Sequence, residues 1–382
     1  MKKIKKVGIV TRYDDNYGAC LQAAALQNIL HKHEIYGEII RYNPPSEQIE
    51  QNTILNIMKK IKKVGLLNAI QIACIRKYIQ KRKNAFQNFR NKKISITDNV
   101  FHNSKEMEKI KDKYNAFICG SDMIWCEEFL ELLDVYFLQF APKGKRIAYS
   151  PSFGRTTLKE ENKLKYSKLI NDMDYISCRE RSGLRIVKEL SGKEATHTVD
   201  PTLLLTKEEW LTLIPKNSQI KKSKNYILKY MFTELTKNGK TLVSNICNEA
   251  NIIMRSVPST RSEYKAEEKE GIIGHGPFEF LSMYAHSNFI ITNTFHGLIF
   301  ALIFEKPFLV FKREDSGNWA KYDERLISIL EELNLQDRYV SQNSIFKKEW
   351  LELNYTEINE KIEKWRLSSE IYLFNSLEEV CV

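Results

Sequence analysis

His296 stands in the stretch NFIITNTFHGLIFALIFEKPFLVF, residues 288–311, between the run Thr292-Asn293-Thr294 and Gly297. Imidazole titrates nearer neutral pH than any other ordinary side chain, so it can give or take a proton there. Two arginines, Arg179 and Arg181, flank Glu180 in CRERS at residues 178–182. A guanidinium fork grips carboxylate or phosphate through two parallel hydrogen bonds. Two further polar clusters, Asn16-Tyr17-Gly18 and Gly120-Ser121-Asp122, each carry a glycine that lets backbone approach a ligand. The chemistry these types share is acid–base work on an anionic substrate. Each also has a plain structural reading. His296, Asn16, Asp15 or the Ser121-Asp122 pair could cap helices, and Arg179 could sit in a surface pair with Glu180. Position alone leaves both readings open.

All of these residues fall where an apolar run gives way to a turn. Residues 6–11 read as a first strand, and a helix follows over 19–31 with Leu21, Ala25, Leu26, Ile29 and Leu30 on one stripe. Further short strands are expected at 38–42, 114–119, 146–150, 174–178 and 196–205, then at 225–232 and 251–257. Residues 261–270 read as a charged loop, and Gly276-Pro277 opens a helix with proline in its first turn. In the focal stretch, Phe289-Ile290-Ile291 is a buried strand, 298–304 a buried crossover helix, and the run to Phe311 the next strand. His296 is then placed at the carboxyl edge of a parallel strand, beside helix N-termini that favour anions. Beyond it, 326–333 is a helix and 347–373 a long amphipathic one. The pattern predicts an α/β protein of two Rossmann-like domains facing a cleft: 1–214, with a basic helical insertion at about 50–95, and 222–340, followed by C-terminal helices over 341–382.

At 382 residues the chain is longer than one core usually supports. No apolar run is long enough for a membrane span, and MKKIKKVGIVTRY reads as a strand with a basic lead rather than a signal peptide. Seven cysteines, none in a CxxC pair, argue for reduced structural thiols in a cytoplasmic protein, with neither disulfides nor a metal site. The net charge of +11 is concentrated in residues 51–93, which hold twelve Lys or Arg and no acidic residue. The remainder is near neutral, which excludes a general nucleic-acid coat. Within the basic stretch, Ile54, Ile57, Met58 and Ile61, then Leu67, Ile70 and Cys74, recur at helical spacing. Such a segment is either a helical pair with one solvated basic face or a peripheral contact with an anionic membrane.

Several stretches in order resemble the polysaccharide pyruvyl transferase family: VGIVTRYDDNYGACLQAAAL, FICGSDMIW, AYSPSFG, YISCRERSG, VDPTLLL, YILKYMF and GPFEFLSMYAHSNFIITNTFHGLIFALIFEKPFLVF, across residues 7–311. The resemblance implies a GT-B-like fold and transfer of the enolpyruvyl unit of phosphoenolpyruvate onto sugar hydroxyls, forming a cyclic ketal and releasing phosphate. It needs no cofactor. It makes His296 the acid–base group and Arg179 the grip on the donor's phosphate or carboxylate, with Asn16, Tyr17, Gly18, Gly120, Ser121, Asp122 and Thr294 around the substrates. A further basic residue matches Lys312 or Arg313. Where more distant members carry Arg-Leu-His, this chain has Thr294-Phe295-His296, so Lys312, Arg313 or Lys229 must supply the second anion contact. The acceptor is then a polysaccharide or its lipid-linked precursor. A nucleotide-sugar transferase on the same fold would instead need a ribose-gripping carboxylate such as Glu279. A glycan-binding protein without chemistry would need neither Arg179 nor His296.

Overall fold

The computed structural model describes residues 6–44, 66–218, 225–258, 261–269, 274–313 and 323–380. The first half supplies strands β1 (Lys6–Val10), β2 (Tyr36–Tyr42), β3 (Ile96–Phe101), β4 (Ala116–Gly120), β5 (Arg146–Tyr149), β6 (Tyr175–Cys178) and β7 (Thr196–His197). The second supplies β8 (Tyr226–Tyr230), β9 (Ile253–Ser256), β10 (Phe289–Thr292), β11 (Phe308–Phe311) and β12 (Tyr339–Val340). They pair as two sheets, β3-β2-β1-β4-β5-β6-β7 and β12-β11-β10-β8-β9. All pairings are parallel. Strands sandwiched between helix layers must be apolar on both faces, and β4, β10 and β11 are buried at every position. In the first sheet the winding reverses between β1 and β4, and in the second between β8 and β10. These are the switch points where open α/β sheets leave a crevice.

The helices that matter for the site are α1 (Tyr17–Lys32), α2 (Leu66–Lys93), α3 (Arg181–Ser191), α4 (Arg261–Lys269), α5 (Pro277–His286), α6 (Phe295–Ile303), α7 (Glu324–Leu333) and α8 (Thr356–Glu379). One continuous core joins the two sheets through them. Tyr17 of α1 stacks on Phe280 of α5 at 4.5 Å and meets Tyr230 edge-on at 5.8 Å. Helix α8 returns to the first sheet: Tyr372 donates to the Ala148 carbonyl at 2.9 Å, and Trp365 to that of His197 at 3.2 Å. The two switch points are therefore held against each other by packing.

Several sequence expectations change. The strand expected over 196–205 stops at His197. Asp200 instead caps a 3-10 turn, Pro201–Leu204, in which proline has no N–H to give a ladder. The charged loop at 261–270 contains helix α4, stabilised from outside by Tyr78 stacking on Tyr264 at 5.1 Å and Lys81 bonding Glu268 at 2.8 Å. The helix expected over 347–373 is a short turn, Lys348–Leu351, followed by α8. Of the basic stretch, 66–93 forms α2 and the part over 51–65 lies outside the described residues. Three of its cations face the protein itself. Lys81 binds Glu268, Arg90 binds Asp15 at 2.7 Å, and Arg82 lies over the Tyr17 ring at 4.8 Å.

Candidate active site

Both switch points open onto one cavity of about 610 Å³. From the first sheet it is lined by Arg12, Asn16 and Asp122; from the second by Tyr230, Phe232, Thr294, His296, Arg313 and Arg325. The local reasons are legible. Asn16 caps α1, its Oδ1 accepting from the Gly18 and Ala19 N–H groups at 2.9 and 3.3 Å. Thr294 caps α6, its hydroxyl accepting from the Gly297 N–H at 3.0 Å. Two helix N-termini therefore meet at the cavity, each contributing partial positive charge.

His296 lies in the first turn of α6 rather than at the end of β10, and it is 8% exposed. Because Thr294 holds the cap, the capping reading of His296 falls away. Its Nε2 is 3.5 Å from Asp200 Oδ2, a contact longer than a formed hydrogen bond. Such contacts often tighten only when substrate binds. Asp200 is itself fixed by four other bonds. Oδ2 accepts from Ser121 Oγ at 2.8 Å and Arg179 Nη1 at 2.9 Å; Oδ1 accepts from the Thr202 N–H and hydroxyl. Burial pushes the Asp200 carboxyl up, but His296, Arg179 and the Thr202 N–H outweigh it and hold it well below the usual carboxylate range. Asp200 is therefore an anion, placed to orient the imidazole.

The other edge of the ring is fixed by α1. A Cβ built on Gly18 would lie 1.9 Å from His296 Nδ1 and 2.4 Å from Cε1. No side chain fits there, so glycine is what allows α1 and α6 to close on the imidazole. Gly297 serves packing, since its own Cβ would meet the Thr292 hydroxyl at 2.0 Å.

Arginines collect around the neighbouring Phe295. The Arg179 guanidinium lies over its ring at 4.0 Å and that of Arg325 at 5.6 Å. Burial, then repulsion from Arg179 and Arg313, push Arg325 down to about 10. Burial likewise lowers Arg313, whose Nε donates to the Asn293 carbonyl at 2.8 Å. Opposite them, Asp122 holds a left-handed backbone (φ 63°), a conformation that short polar residues tolerate best. Burial raises its carboxyl, but Arg12, Arg179 and His296 bring it below the ordinary value. A buried cationic cluster next to an imidazole with a fixed carboxylate behind it can bind a small polyanion and move a proton beside it.

A protein-family model for polysaccharide pyruvyl transferases matches residues 16–316, from the α1 cap to just past Arg313. The chain belongs to that family. Solved structures similar to this pyruvyl transferase include the UDP-GlcNAc 2-epimerase from Methanocaldococcus jannaschii, 12% identical over 94% of this chain and 91% of that one, with a TM-score of 0.49. The UDP-GlcNAc 2-epimerase from Neisseria meningitidis bound to UDP-GlcNAc is 12% identical over 97% and 100%, at 0.47. Arabidopsis thaliana UGT89C1 complexed with UDP-L-rhamnose is 9% identical over 100% of each chain, at 0.42. At those scores they carry no argument about the site. A search among curated proteins finds no match.

Within this pyruvyl transferase the residues singled out in the sequence divide into three groups. His296, Asn16, Asp122, Thr294 and Arg313 line the cavity. Arg179, Ser121 and Gly18 stand one layer behind it, Arg179 being 2% exposed and ion-paired to Asp200 rather than open to a ligand. The rest point elsewhere. Tyr17 is buried with its hydroxyl on the His275 carbonyl at 2.6 Å, and Gly120 packs under Leu26. Lys312 lies over Tyr339 at 5.3 Å, and Lys229 pairs with Glu263 at 2.9 Å. Asp15 binds Arg90 and is not the cap. Sequence reading passed over Arg12, Asp200 and Arg325. A signal existed for Arg325: a cation in the first turn of α7 opposes the helix dipole, so it needs a compensating reason to be there.

Proposed function

We propose that the chain moves the pyruvyl unit of phosphoenolpyruvate onto two hydroxyls of a saccharide, closing a ketal and releasing phosphate. The observation that carries this is the convergence of Arg12, Arg313 and Arg325 with His296 in one cavity. A substrate bearing both phosphate and carboxylate suits such a cluster, because each anion can take a charge-assisted contact. In the reaction the methylene carbon gains a proton and the first hydroxyl oxygen bonds the central carbon. The bond from that carbon to the phosphate oxygen then breaks, and the second hydroxyl oxygen takes its place. Of the two hydroxyl protons, one ends on the new methyl group and the other on phosphate. His296 serves these transfers, with Asp200 balancing its charge. Arg12, Arg313 and Arg325 hold the donor, and Asp122 is placed to accept from an incoming hydroxyl.

A nucleotide-sugar donor is less well served. Glu279, the carboxylate that reading would use, accepts from the Gly276 N–H at 2.9 Å and caps α5. The deciding experiment incubates the enzyme and a saccharide panel with phosphoenolpyruvate or with nucleotide sugars, following phosphate and nucleotide release. Nucleotide release without phosphate release overturns the proposal.

Donor grip is checked by Arg325→Lys. Lysine keeps the charge and loses the planar fork, so KM for phosphoenolpyruvate should rise about tenfold, with kcat changed much less. Arg179→Lys should instead lower kcat, because its partner is Asp200. Equal and small effects of both on KM would place the donor elsewhere.

The reading also places the enzyme in the cytoplasm at a membrane carrying lipid-linked acceptors. Among the described residues no helix is long and apolar enough to cross a membrane. Arg76, Lys77, Lys83 and Lys92 of α2 are exposed. Co-sedimentation with anionic vesicles should fall steeply between low and physiological salt. Absence of binding at low salt would remove the membrane from the proposal.

A further inference from the structure

A second, larger cavity of about 1050 Å³ adjoins the first and shares Arg12 and Asn16 with it. It lies outside the carboxyl ends of β1 and β2 and is closed on one side by the last turns of α2. Its charges cancel. Arg12, Arg41 and Arg90 stand against Asp14, Asp15 and Asp98, and two of the three pairs are made: Arg12 with Asp14, and Arg90 with Asp15 at 2.7 Å. Unlike the arginine cluster around Phe295, this wall presents no net field to an anion. What it offers instead is amide and phenol chemistry. Asn43, Gln87 and Asn91 each carry both a donor and an acceptor, as a sugar hydroxyl does. Tyr13, Tyr42 and Tyr136 supply aromatic faces for the apolar C–H side of a pyranose, with Tyr42 and Tyr136 meeting edge-on at 6.2 Å.

The geometry points to this cavity as the subsite for an uncharged saccharide acceptor, an inference that rests on the pyruvyl-transfer reading for the word acceptor. The volume exceeds the usual small-ligand range of about 300–1000 Å³, which fits more than a single sugar ring. The shared wall matters most. A glycan seated against Arg12 and Asn16 brings its terminal hydroxyls to the edge of the cavity that holds His296 and Asp122, so the reacting groups meet without either ligand moving. The first sheet then holds the acceptor, and the donor lies between Arg313 and Arg325 of the second and Arg12 on the shared wall.

Gln87 and Asn91 sit on the exposed side of α2, where changes should leave the fold intact. Gln87→Trp places an indole across part of the cavity, and Asn91→Ala removes one amide. The test applies the intact protein and both variants to a printed array of microbial glycans, then titrates each with phosphoenolpyruvate by calorimetry. Glycan binding by the intact protein that weakens at least about tenfold in Gln87→Trp, with phosphoenolpyruvate affinity held within about twofold, is the expected result. Glycan binding that survives in both variants overturns the subsite, and so does an array on which the intact protein binds nothing. Glycan binding that follows the expected pattern without any phosphoenolpyruvate binding leaves the subsite standing and removes the donor.

Discussion

Replacing His296 by alanine or asparagine should lower pyruvyl transfer by about 10²- to 10⁴-fold, while donor binding survives. The arginines that grip the donor are unchanged in both variants. Stability should move little. Asp200 keeps its bonds from Ser121, Arg179 and Thr202 when the imidazole is gone, and α6 keeps its Thr294 cap. The expected shift in melting temperature is therefore below about 3 °C, under roughly 1 kcal/mol for a chain of this size. Asparagine is the sharper variant, because it retains a polar side chain without the ability to exchange a proton near neutral pH. Turnover and melting temperature are measured side by side. If asparagine restores most of the activity, proton transfer belongs to another group, with Asp122 the next to be changed.

Gly18→Ala, the addition of a single methyl group in the first turn of α1, should cost about 10²-fold in turnover. The new Cβ would fall 1.9 Å from His296 Nδ1, and the ring cannot stay where it is. Asp200 and Phe295 stand on two of its other sides and the cavity on another, so it must rotate into the cavity, out of contact with the carboxylate, or push α1 and α6 apart. Overpacking of this kind usually costs about 1–3 kcal/mol. Alanine returns up to about 1 kcal/mol of helix propensity over glycine. The net loss of stability should be small beside the loss of rate. The double variant Gly18→Ala/His296→Ala separates the explanations. If the methyl acts only by displacing the imidazole, the pair is no slower than His296→Ala alone; multiplied losses would mean that Gly18 touches substrate directly.

The features written in neighbouring residues were legible in the sequence. The apolar run Phe289-Ile290-Ile291, the threonine–asparagine turn and the buried helix after it are local patterns, and they form β10, the α6 cap and α6. The glycine- and asparagine-bearing turn after β1 likewise marked the start of α1 at the ligand edge. Local pattern misled where a tertiary partner overrode it. Residues 196–205 look strand-like by hydropathy, yet Asp200 turns the chain because Arg179, Ser121 and His296 are waiting for its carboxylate. The charged segment that reads as a loop becomes α4 because α2 packs on it.

By itself the sequence determined the central parallel strands of both sheets, most of the turns that end them and the placing of one histidine at such a turn, because side-chain periodicity and caps depend on residues a few places apart; the edge strands β3 and β12 were not legible in it. It could not assign the roles of Arg179 and Arg325. Both are arginines near a helix start, and only sheet order decides which stands behind Phe295 bound to Asp200 and which faces the cavity. The meeting of Gly18 with His296, and of Asp200 with both His296 and Arg179, was likewise settled by tertiary structure alone. Those contacts join residues far apart in the chain, and they exist only because the core packs the two switch points against each other.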